Sequence, residues 1–291
     1  MAFGLALGIG SAAWFANGPA LAETEDWGQS PGQEGGVLRV MTFNIRHGEG
    51  LDGRVDLARV ATVIKEVAPD LVGLQEVDQN WSFRSQFVEQ AAWLARELGM
   101  EFAFAPALHR GSLLGADGGY GNALLSRYPI LRSETIILPR LDTREDRSLL
   151  IAQVKVPNGL VQVGVTHLGL SSRERLQHVR VIREKLLTFG LPTILMGDWN
   201  ARPDSPEVVA VTEWLASVTA GGMWPTFCYN SPDGKPNVQI DYIFASPEFK
   251  VAGVRTVPTD ASDHWPLVAE LQLSFGSVSA KGGEGKQAEG E

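Results

Sequence analysis

The sequence predicts an α/β fold in which two packed, mixed β-sheets are flanked by helices, a four-layer α/β/β/α sandwich. Two observations predict it. Segments with strand and helix periodicity alternate through the first half of the chain, and hairpin signals dominate the second half. Alternating strands and helices build sheets with helices on their outer faces, and hairpins add antiparallel strands to those sheets.

The first half contains four predicted strands and two predicted helices. The segment "VLRVMTFNI" alternates apolar with polar or small residues and predicts a strand that ends at Asn44. Apolar residues in "LARVATVIKEV" recur at helical spacing after Asp56, a suitable N-cap. A short buried strand then ends near Glu76, and a second helix is predicted over Gln86–Leu98. The segment "EFAFAPAL" and the range Asn122–Ser126 predict the next two strands.

The second half opens with two alternating runs, "RSLLIAQVKV" and "LVQVGVTHL", which a Pro-Asn-Gly turn joins into a hairpin. An amphipathic helix follows and is predicted to end at Gly190. In that helix His178 stands near Arg175 and Arg180, which predicts a solvated face. The segment "PTILMGDWN" is a buried strand that stops at Asp198, and "VQIDYIFAS" and "HWPLVAELQL" are the last predicted strands.

The two ends of the chain differ in composition from the body. Residues 1–22 are uncharged and apolar, and they end in an A-x-A pattern that predicts a secretory signal peptide or a membrane anchor. Residues 23–36 read as a linker, 37–273 as the folded domain and 274–291 as a disordered tail. We therefore expect the protein to be exported to the periplasm or the medium, or held at a membrane by its N-terminus, rather than cytoplasmic.

The composition narrows the possible functions. The 291 residues carry a formal net charge of −9, which disfavours broad electrostatic binding of nucleic acid without excluding a local basic cleft. Cys228 is the only cysteine, so neither an intramolecular disulfide nor a cysteine-rich zinc site can form.

Polar residues follow one buried strand after another. One Asn or Asp at a strand end is usually a turn former, but several such ends on one side of a sheet converge on a cleft. Carboxylate and amide oxygens suit Mg²⁺, and histidine beside an acid suits proton transfer near neutral pH. This combination points to metal-assisted phosphoester hydrolysis. The residues concerned are Asn44, Glu76, His167, Asp198, Asn200, Asp241, Asp263 and His264.

Seven ordered motifs carry a family resemblance. The segments "MTFNIRHG", "PDLVGLQEVD", "YGNALLSRYPI", "VTHLGL", "LMGDWNARPDS", "IDYIFAS" and "SDHWPL" resemble the motifs of the endonuclease/exonuclease/phosphatase superfamily. That family includes deoxyribonuclease I, exonuclease III, neutral sphingomyelinases and inositol polyphosphate 5-phosphatases. The resemblance spans Val37 to Leu273 and implies the deoxyribonuclease I-like sandwich. It is specific for the family and not for the substrate.

The resemblance implies a metal site and no other cofactor. Glu76 takes the place of the main Mg²⁺ ligand, with Mn²⁺ as a possible substitute. Asn44 helps to place the metal or its water, and Asp263 lies near the metal.

The resemblance also implies catalytic roles. His264 becomes the general base or a group that polarises the phosphate, and Asp241 orients it. Asp198 aligns the attacking water, while Asn200 and His167 donate hydrogen bonds to the phosphoryl oxygens.

Three further residues are expected to bind substrate. Tyr120 and Asn122 match a family segment that lines the cleft. Related enzymes of the deoxyribonuclease I type pair the histidine equivalent to His167 with an acid near this tyrosine, and Gly121 and Asn122 stand in that region here. Arg147 is either a phosphate contact or an ordinary solvated arginine.

Three functions are compatible with these residues. The first is an exported Mg²⁺-dependent phosphoesterase acting on a small or lipid-linked phosphoester, in a branch related to the lipid remodelers of glycosylphosphatidylinositol anchors. The second is an exported nuclease acting on DNA or RNA, and the third is an inactive binding module on the same fold. No obligate protein partner is expected.

Overall fold

A computed structural model describes residues 36–111 and 117–274. The predicted signal or anchor segment lies outside these residues, as do the linker apart from Gly36 and the tail apart from Ser274. Among the described residues, no helix is long and apolar enough to cross a membrane.

Twelve strands and four α-helices make up the described part of the chain. The strands are β1 (Val37–Asn44), β2 (Leu71–Gln79), β3 (Glu101–Arg110), β4 (Gly118–Ser126), β5 (Ile130–Leu138), β6 (Arg147–Val156), β7 (Gly159–His167), β8 (Thr193–Asp198), β9 (Ala216–Ser217), β10 (Asp241–Ala245), β11 (Phe249–Thr256) and β12 (Leu267–Leu273). The helices are α1 (Leu57–Val67), α2 (Gln90–Leu98), α3 (Ser172–Leu186) and α4 (Pro206–Thr212).

The strands form two six-stranded sheets, in the orders β11-β12-β1-β2-β4-β3 and β5-β6-β7-β8-β10-β9. Each sheet contains one parallel pair, β1 with β2 and β7 with β8, and the remaining pairs are antiparallel. The carboxyl ends of the two parallel pairs meet at one edge of the sandwich, where Asn44 of β1 contacts Asp198 of β8. This edge holds the candidate site.

Three apolar clusters define four layers. One cluster lies between the sheets and joins residues such as Val40 and Leu124 of the first sheet to Val163 and Ile243 of the second. A second packs α1 and α2 on the outer face of the first sheet. The third packs α3 and α4 on the outer face of the second sheet. The predicted four-layer α/β/β/α sandwich is therefore confirmed.

Several element boundaries differ from the sequence prediction. Helix α2 begins at Gln90 rather than Gln86, β4 begins at Gly118 rather than Asn122, and α3 ends at Leu186 rather than Gly190. Strands β5 and β11 were not predicted, because both lie at sheet edges and each buries only one residue fully, so neither has the apolar alternation of a half-buried strand.

Candidate active site

The strand topology brings the predicted polar residues together. Asn44, His167 and Asp198 end β1, β7 and β8, and His167 stands directly opposite Asp198 in the parallel register. Asp241 begins β10 and faces Asp198 across an antiparallel pair. His264 lies just before β12, whose first residue pairs beside the end of β1. Residues far apart in sequence thus share one edge.

Glu76 reaches the site through an irregularity in β2. The pairing of β2 with β4 shifts register between Leu74 and Val77, and Glu76 has φ = 58°, in the left-handed region. An L-residue is uncommon there, and bulges of this kind redirect a side chain beside active sites. The Asn44 amide nitrogen donates to Glu76 Oε1 at 3.1 Å and to Asp198 Oδ2 at 3.0 Å, so it links the two sheets.

A glycine sets the position of Asp198. Gly197 has φ = 151°, and a Cβ atom there would lie 1.9 Å from the carbonyl oxygen of Thr166. Only glycine permits this approach of β8 to β7 without backbone movement. The Asp198 carboxylate then receives the backbone N–H of Asn200 at 2.9 Å on its Oδ1 atom.

His264 and Asp241 form a buried pair. The ring atom Nδ1 of His264 lies 2.9 Å from Asp241 Oδ2, which places the proton on Nδ1 and leaves Nε2 facing Asp198 Oδ2 at 3.8 Å. The Phe227 ring packs against the imidazole at 4.7 Å between centroids. Burial works against the charged ring, but the neighbouring carboxylates, Asp241 first, raise the pKa of His264 above its ordinary value.

His167 has the opposite environment. Its Nδ1 atom lies 3.3 Å from the guanidinium of Arg147, which can only donate. Its Nε2 atom lies 3.0 Å from the Asn200 amide nitrogen, which is also a donor, and 3.4 Å from Asp198 Oδ2, which is an acceptor. Burial, together with the charges of Arg147 and His264, holds the pKa of His167 well below its ordinary value. The ring is therefore neutral.

The site contains more carboxylates than cationic side chains. Oxygen or nitrogen atoms of Asp198, Asp241 and His264 lie within 4.8 Å of one another. Burial and the Asp241 charge raise the pKa of Asp198, and Asp241 Oδ1 is buried with no hydrogen-bond partner in the described part of the chain. A cluster of buried carboxylate oxygens with unmatched charge fits a hard divalent cation, and Glu76 extends this oxygen-rich cluster through Asn44.

Asp263 flanks this cluster. The hydroxyl of Ser262 donates to the backbone carbonyl of Asn44 at 2.8 Å and lies 3.3 Å from Asp263 Oδ1, which ties the segment to the end of β1. The other oxygen of Asp263 lies 3.7 Å from Arg46 Nε. Asn44, Glu76 and Asp263, predicted as metal ligands, therefore adjoin one strand end.

The three predicted substrate-binding residues line a small pocket beside Glu76 and His167. Burial and the Glu76 charge raise the pKa of Tyr120, so its hydroxyl keeps its proton. Asn122 is buried, and its amide nitrogen donates to the carbonyl of Ser148 at 2.9 Å. Arg147 is only 8 % exposed, so of its two sequence interpretations the solvated arginine is wrong.

Two residues that support His264 were not predicted from the sequence. Phe227 covers the ring, and Thr226 accepts the backbone N–H of Asp241 on its hydroxyl at 3.2 Å. Both lie in the long loop before β10, which has no periodicity to mark them. Trp199 is fully buried in a core cluster and does not line the cleft.

Comparisons with known proteins agree with this geometry. The model of the "Endonuclease/Exonuclease/phosphatase family" matches residues 41–264. The Escherichia coli K12 protein YbhP is 28% identical over 258 residues, which cover 81% of this chain and 96% of that protein. The crystal structure of an endonuclease/exonuclease/phosphatase from Beutenbergia cavernae matches with a TM-score of 0.68 and 30% identity, and the match covers 82% of this chain and 72% of that one.

A third similar structure is a mannosyl-6-phosphatase from Bacteroides thetaiotaomicron, with a TM-score of 0.64 and 20% identity over 80% of this chain and 99% of that one. At this identity the likeness concerns the fold. The family model, in contrast, spans most of the folded domain, including every predicted site residue. The chain therefore belongs to the endonuclease/exonuclease/phosphatase family, and it is a hydrolase of phosphoester bonds.

Proposed function

We propose that this hydrolase is a Mg²⁺-dependent phosphoesterase that acts outside the cytoplasm on a small or lipid-linked phosphoester. The observation that carries the proposal is that two different histidines lie close to Asp198. One is His264, which is hydrogen-bonded to Asp241, and the other is His167, which is neutral. Such a site offers a proton acceptor and a hydrogen-bond donor on two sides of one carboxylate. Water attacks the phosphorus in line with the leaving group.

The residues that would hold the metal are Glu76 and Asn44, with Asp263 nearby. When bound, Mg²⁺ or Mn²⁺ supplies positive charge that stabilises the phosphoryl oxygens as negative charge grows on them.

The chain's own residues supply the remaining chemistry. Asp198, held by the amides of Asn44 and Asn200, aligns the attacking water. His264 presents Nε2 to the cleft, while Asp241 fixes its tautomer and stabilises the imidazolium. His167 donates a hydrogen bond toward the phosphoryl oxygens, and its lowered pKa makes it a weaker base than His264 for the proton of the water.

The charge of the molecule favours a small or lipid-linked substrate over nucleic acid. The net charge is −9, and Arg147, the arginine of the site, already has Glu145 at 2.6 Å. The similar mannosyl-6-phosphatase supports a phosphate ester of a polyhydroxy compound as one substrate class. The sequence resemblance to glycosylphosphatidylinositol lipid remodelers supports a lipid-linked ester as the other.

The test is hydrolysis by the purified protein, with Mg²⁺ or with EDTA, of phosphate monoesters, phosphoinositides, sphingomyelin and plasmid DNA. We expect EDTA-sensitive hydrolysis of a member of the first three classes, and degradation of DNA alone would establish the nuclease instead. Glu76→Gln serves as the matched variant. Mg²⁺ should raise the Tm of the native protein and raise it less in the variant, a readout independent of activity.

Activity on none of these substrates would favour the inactive binding module. The complete set of site residues argues against that alternative, because each side chain has a defined partner at the cleft.

A further inference from the structure

A loop beside the site exposes two phenylalanines. Residues 80–88, which we call the aromatic loop, connect β2 to α2. Phe83 is 89% exposed and Phe87 is 44% exposed, and their rings stack edge to face with centroids 5.0 Å apart. Neither ring belongs to a core cluster of the described residues. Folding the core therefore does not account for them.

The base of the aromatic loop is held firmly. Arg84 makes two hydrogen bonds, at 2.7 and 2.9 Å, to Asp78, whose side chain is fully buried. The guanidinium also lies over the ring of Tyr120 at 5.4 Å, and Trp81 packs on the same ring at 5.9 Å. A bidentate ion pair to a buried carboxylate fixes the orientation of the guanidinium. The exposed rings thus stand on a rigid base next to the site.

The backbone at the tip is held in an unfavourable conformation. Gln86 and Phe87 have φ values of 53° and 56°, both in the left-handed region. Two successive L-residues rarely adopt it, and a bulky aromatic side chain makes it less favourable still. Strain of this kind at a surface loop is typical of a functional contact.

Other exposed apolar side chains lie on loops at the same edge. One loop follows β1, one follows β7, one precedes β10 and one connects β5 to β6. Each of these loops adjoins the site at a strand end. The residues are Leu51 (45% exposed), Leu141 (45%), Leu170 (70%) and Tyr229 (56%). An edge with several projecting apolar groups suits contact with an extended apolar phase.

The charges at this edge indicate whether its binding partner is a lipid surface or a polyanion such as nucleic acid. Five arginines here already have a carboxylate oxygen within 3.5 Å: Arg46 with Glu49, Arg84 with Asp78, Arg140 with Asp146, Arg147 with Glu145 and Arg173 with Asp142. Arg110, Arg144 and Arg202 have no such partner among the described residues, and the whole chain carries a net charge of −9. A polyanion needs cations that are free to pair with its phosphates. Aromatic rings whose neighbouring arginines are mostly paired, on a chain of negative net charge, match a zwitterionic lipid surface better than a polyanion.

We infer that the aromatic loop docks the protein on a phosphatidylcholine bilayer by inserting Phe83 and Phe87 at the lipid interface, so that the catalytic edge faces the membrane. Docking needs no catalysis, so it goes beyond the proposed function.

The experiment is flotation of the full chain with phosphatidylcholine vesicles in low and in 0.5 M salt. The variant Phe83→Ser/Phe87→Ser should lower vesicle binding by about tenfold or more, because two rings lose their apolar contact. Phe83→Trp should keep binding, because tryptophan favours the interface. The matched control is Leu187→Ser/Phe189→Ser, whose side chains are 58% and 38% exposed near the start of β8, at the opposite edge.

Thermal unfolding checks that every variant folds. Hydrolysis of the water-soluble member of the substrate panel should be the same in the native protein and the phenylalanine variant, so a failed phosphoesterase proposal and failed docking give different results. Vesicle binding that is absent, equal in both double variants, dependent on anionic lipid or abolished by 0.5 M salt would overturn the inference. So would a loss of single-stranded DNA binding in the phenylalanine variant without any vesicle binding.

Discussion

The two histidines of the site lie near the same carboxylate oxygen, but one ring favours the charged form and the other the neutral form. His264 lies 3.8 Å from Asp198 Oδ2 and His167 lies 3.4 Å from it, and both rings are buried. Behind His264 stands an acid, Asp241, and behind His167 stands a cation, Arg147. Burial is common to both, so the residue behind the ring decides its charge.

This difference suits the two histidines to different roles. His264 gains a proton readily, because Asp241 stabilises the imidazolium, whereas His167 stays neutral. The guanidinium of Arg147 stands where the family resemblance implies an acid, and it brings a positive charge to the pocket that it lines beside His167.

The largest effect is expected at His264. Replacing it with alanine removes the proton acceptor and leaves Asp241 buried without its partner, so kcat should fall by about 10⁴-fold. Steady-state kinetics on the substrate found in the panel measure this fall. His109→Ala, at an exposed histidine of β3, is the control and should change kcat little. A loss below tenfold at His264 would remove it as the base.

Asp241→Asn tests the acid behind the ring and should lower kcat by about 10³-fold, because the amide no longer stabilises the imidazolium or fixes the tautomer. The pKa of His264 should fall, since Asp241 is the foremost of the groups that raise it. Nitrogen NMR shifts of the imidazole report its protonation across the pH range. An unchanged titration of His264 would contradict the assigned pairing.

His167→Gln should cost less, about 10²-fold in kcat, because it removes one hydrogen-bond donor and no proton acceptor. In the native protein the NMR shifts of His167 should show a neutral ring between pH 6 and pH 8. A cationic His167 at pH 7 would make the two histidines equivalent and contradict the role of Arg147.

Much of this site is predictable from the sequence, because strand polarity alone sends the ends of β1, β7 and β8 to one edge. The pairing of His264 with Asp241 followed from the family resemblance, and in the structure the imidazole Nδ1 atom lies 2.9 Å from the carboxylate Oδ2 atom. The family and the four-layer fold were likewise predicted and are confirmed.

What lies behind His167 was not predictable in the same way. Arg147 reaches the ring from β6, and the sequence left a phosphate contact and a solvated arginine equally open. His178 was predicted to lie on a solvated face and is instead buried, with its Nε2 atom 2.9 Å from the carbonyl of Pro139. Helical spacing shows which residues share a face of α3. Whether that face is exposed to solvent depends on the loop between β5 and β6, which lies more than 30 residues away in sequence and covers it.

That covering loop depends on Glu174. Its carboxylate accepts the backbone N–H groups of Leu141, Asp142 and Thr143 at 2.8–3.0 Å and the Thr143 hydroxyl at 2.6 Å. Burial opposes the charge, but these donors lower the pKa of Glu174 from 4.5 to about 2. The loop leads directly into Arg147, so Glu174 supports the His167 side of the site.

Glu174→Gln should lower the free energy of unfolding at pH 7 by about 2 kcal/mol. The folded pKa is depressed, so the contribution of Glu174 is present above pH 4.5 and is lost as the pH falls toward about 2. Urea unfolding of native protein and variant at pH 7 and pH 3 measures this, and the difference should shrink at the lower pH. Glu213→Gln, at an exposed acid, is the control, and an equal loss there would contradict the role of Glu174.

The smallest effect, and the one that isolates the contrast between the histidines, is expected at Arg147. Arg147→Met removes the cation behind His167, so the pKa of that ring should rise while kcat near pH 8 falls only about tenfold. A higher pKa means that His167 becomes a cation at a higher pH, so the acid limb of the kcat profile should move to higher pH in the variant. Arg147→Lys keeps the charge but loses the planar geometry, so it should lower kcat without moving the limb. An unmoved limb in the methionine variant would show that burial alone keeps His167 neutral, and the difference between the two histidines would then lie entirely in Asp241.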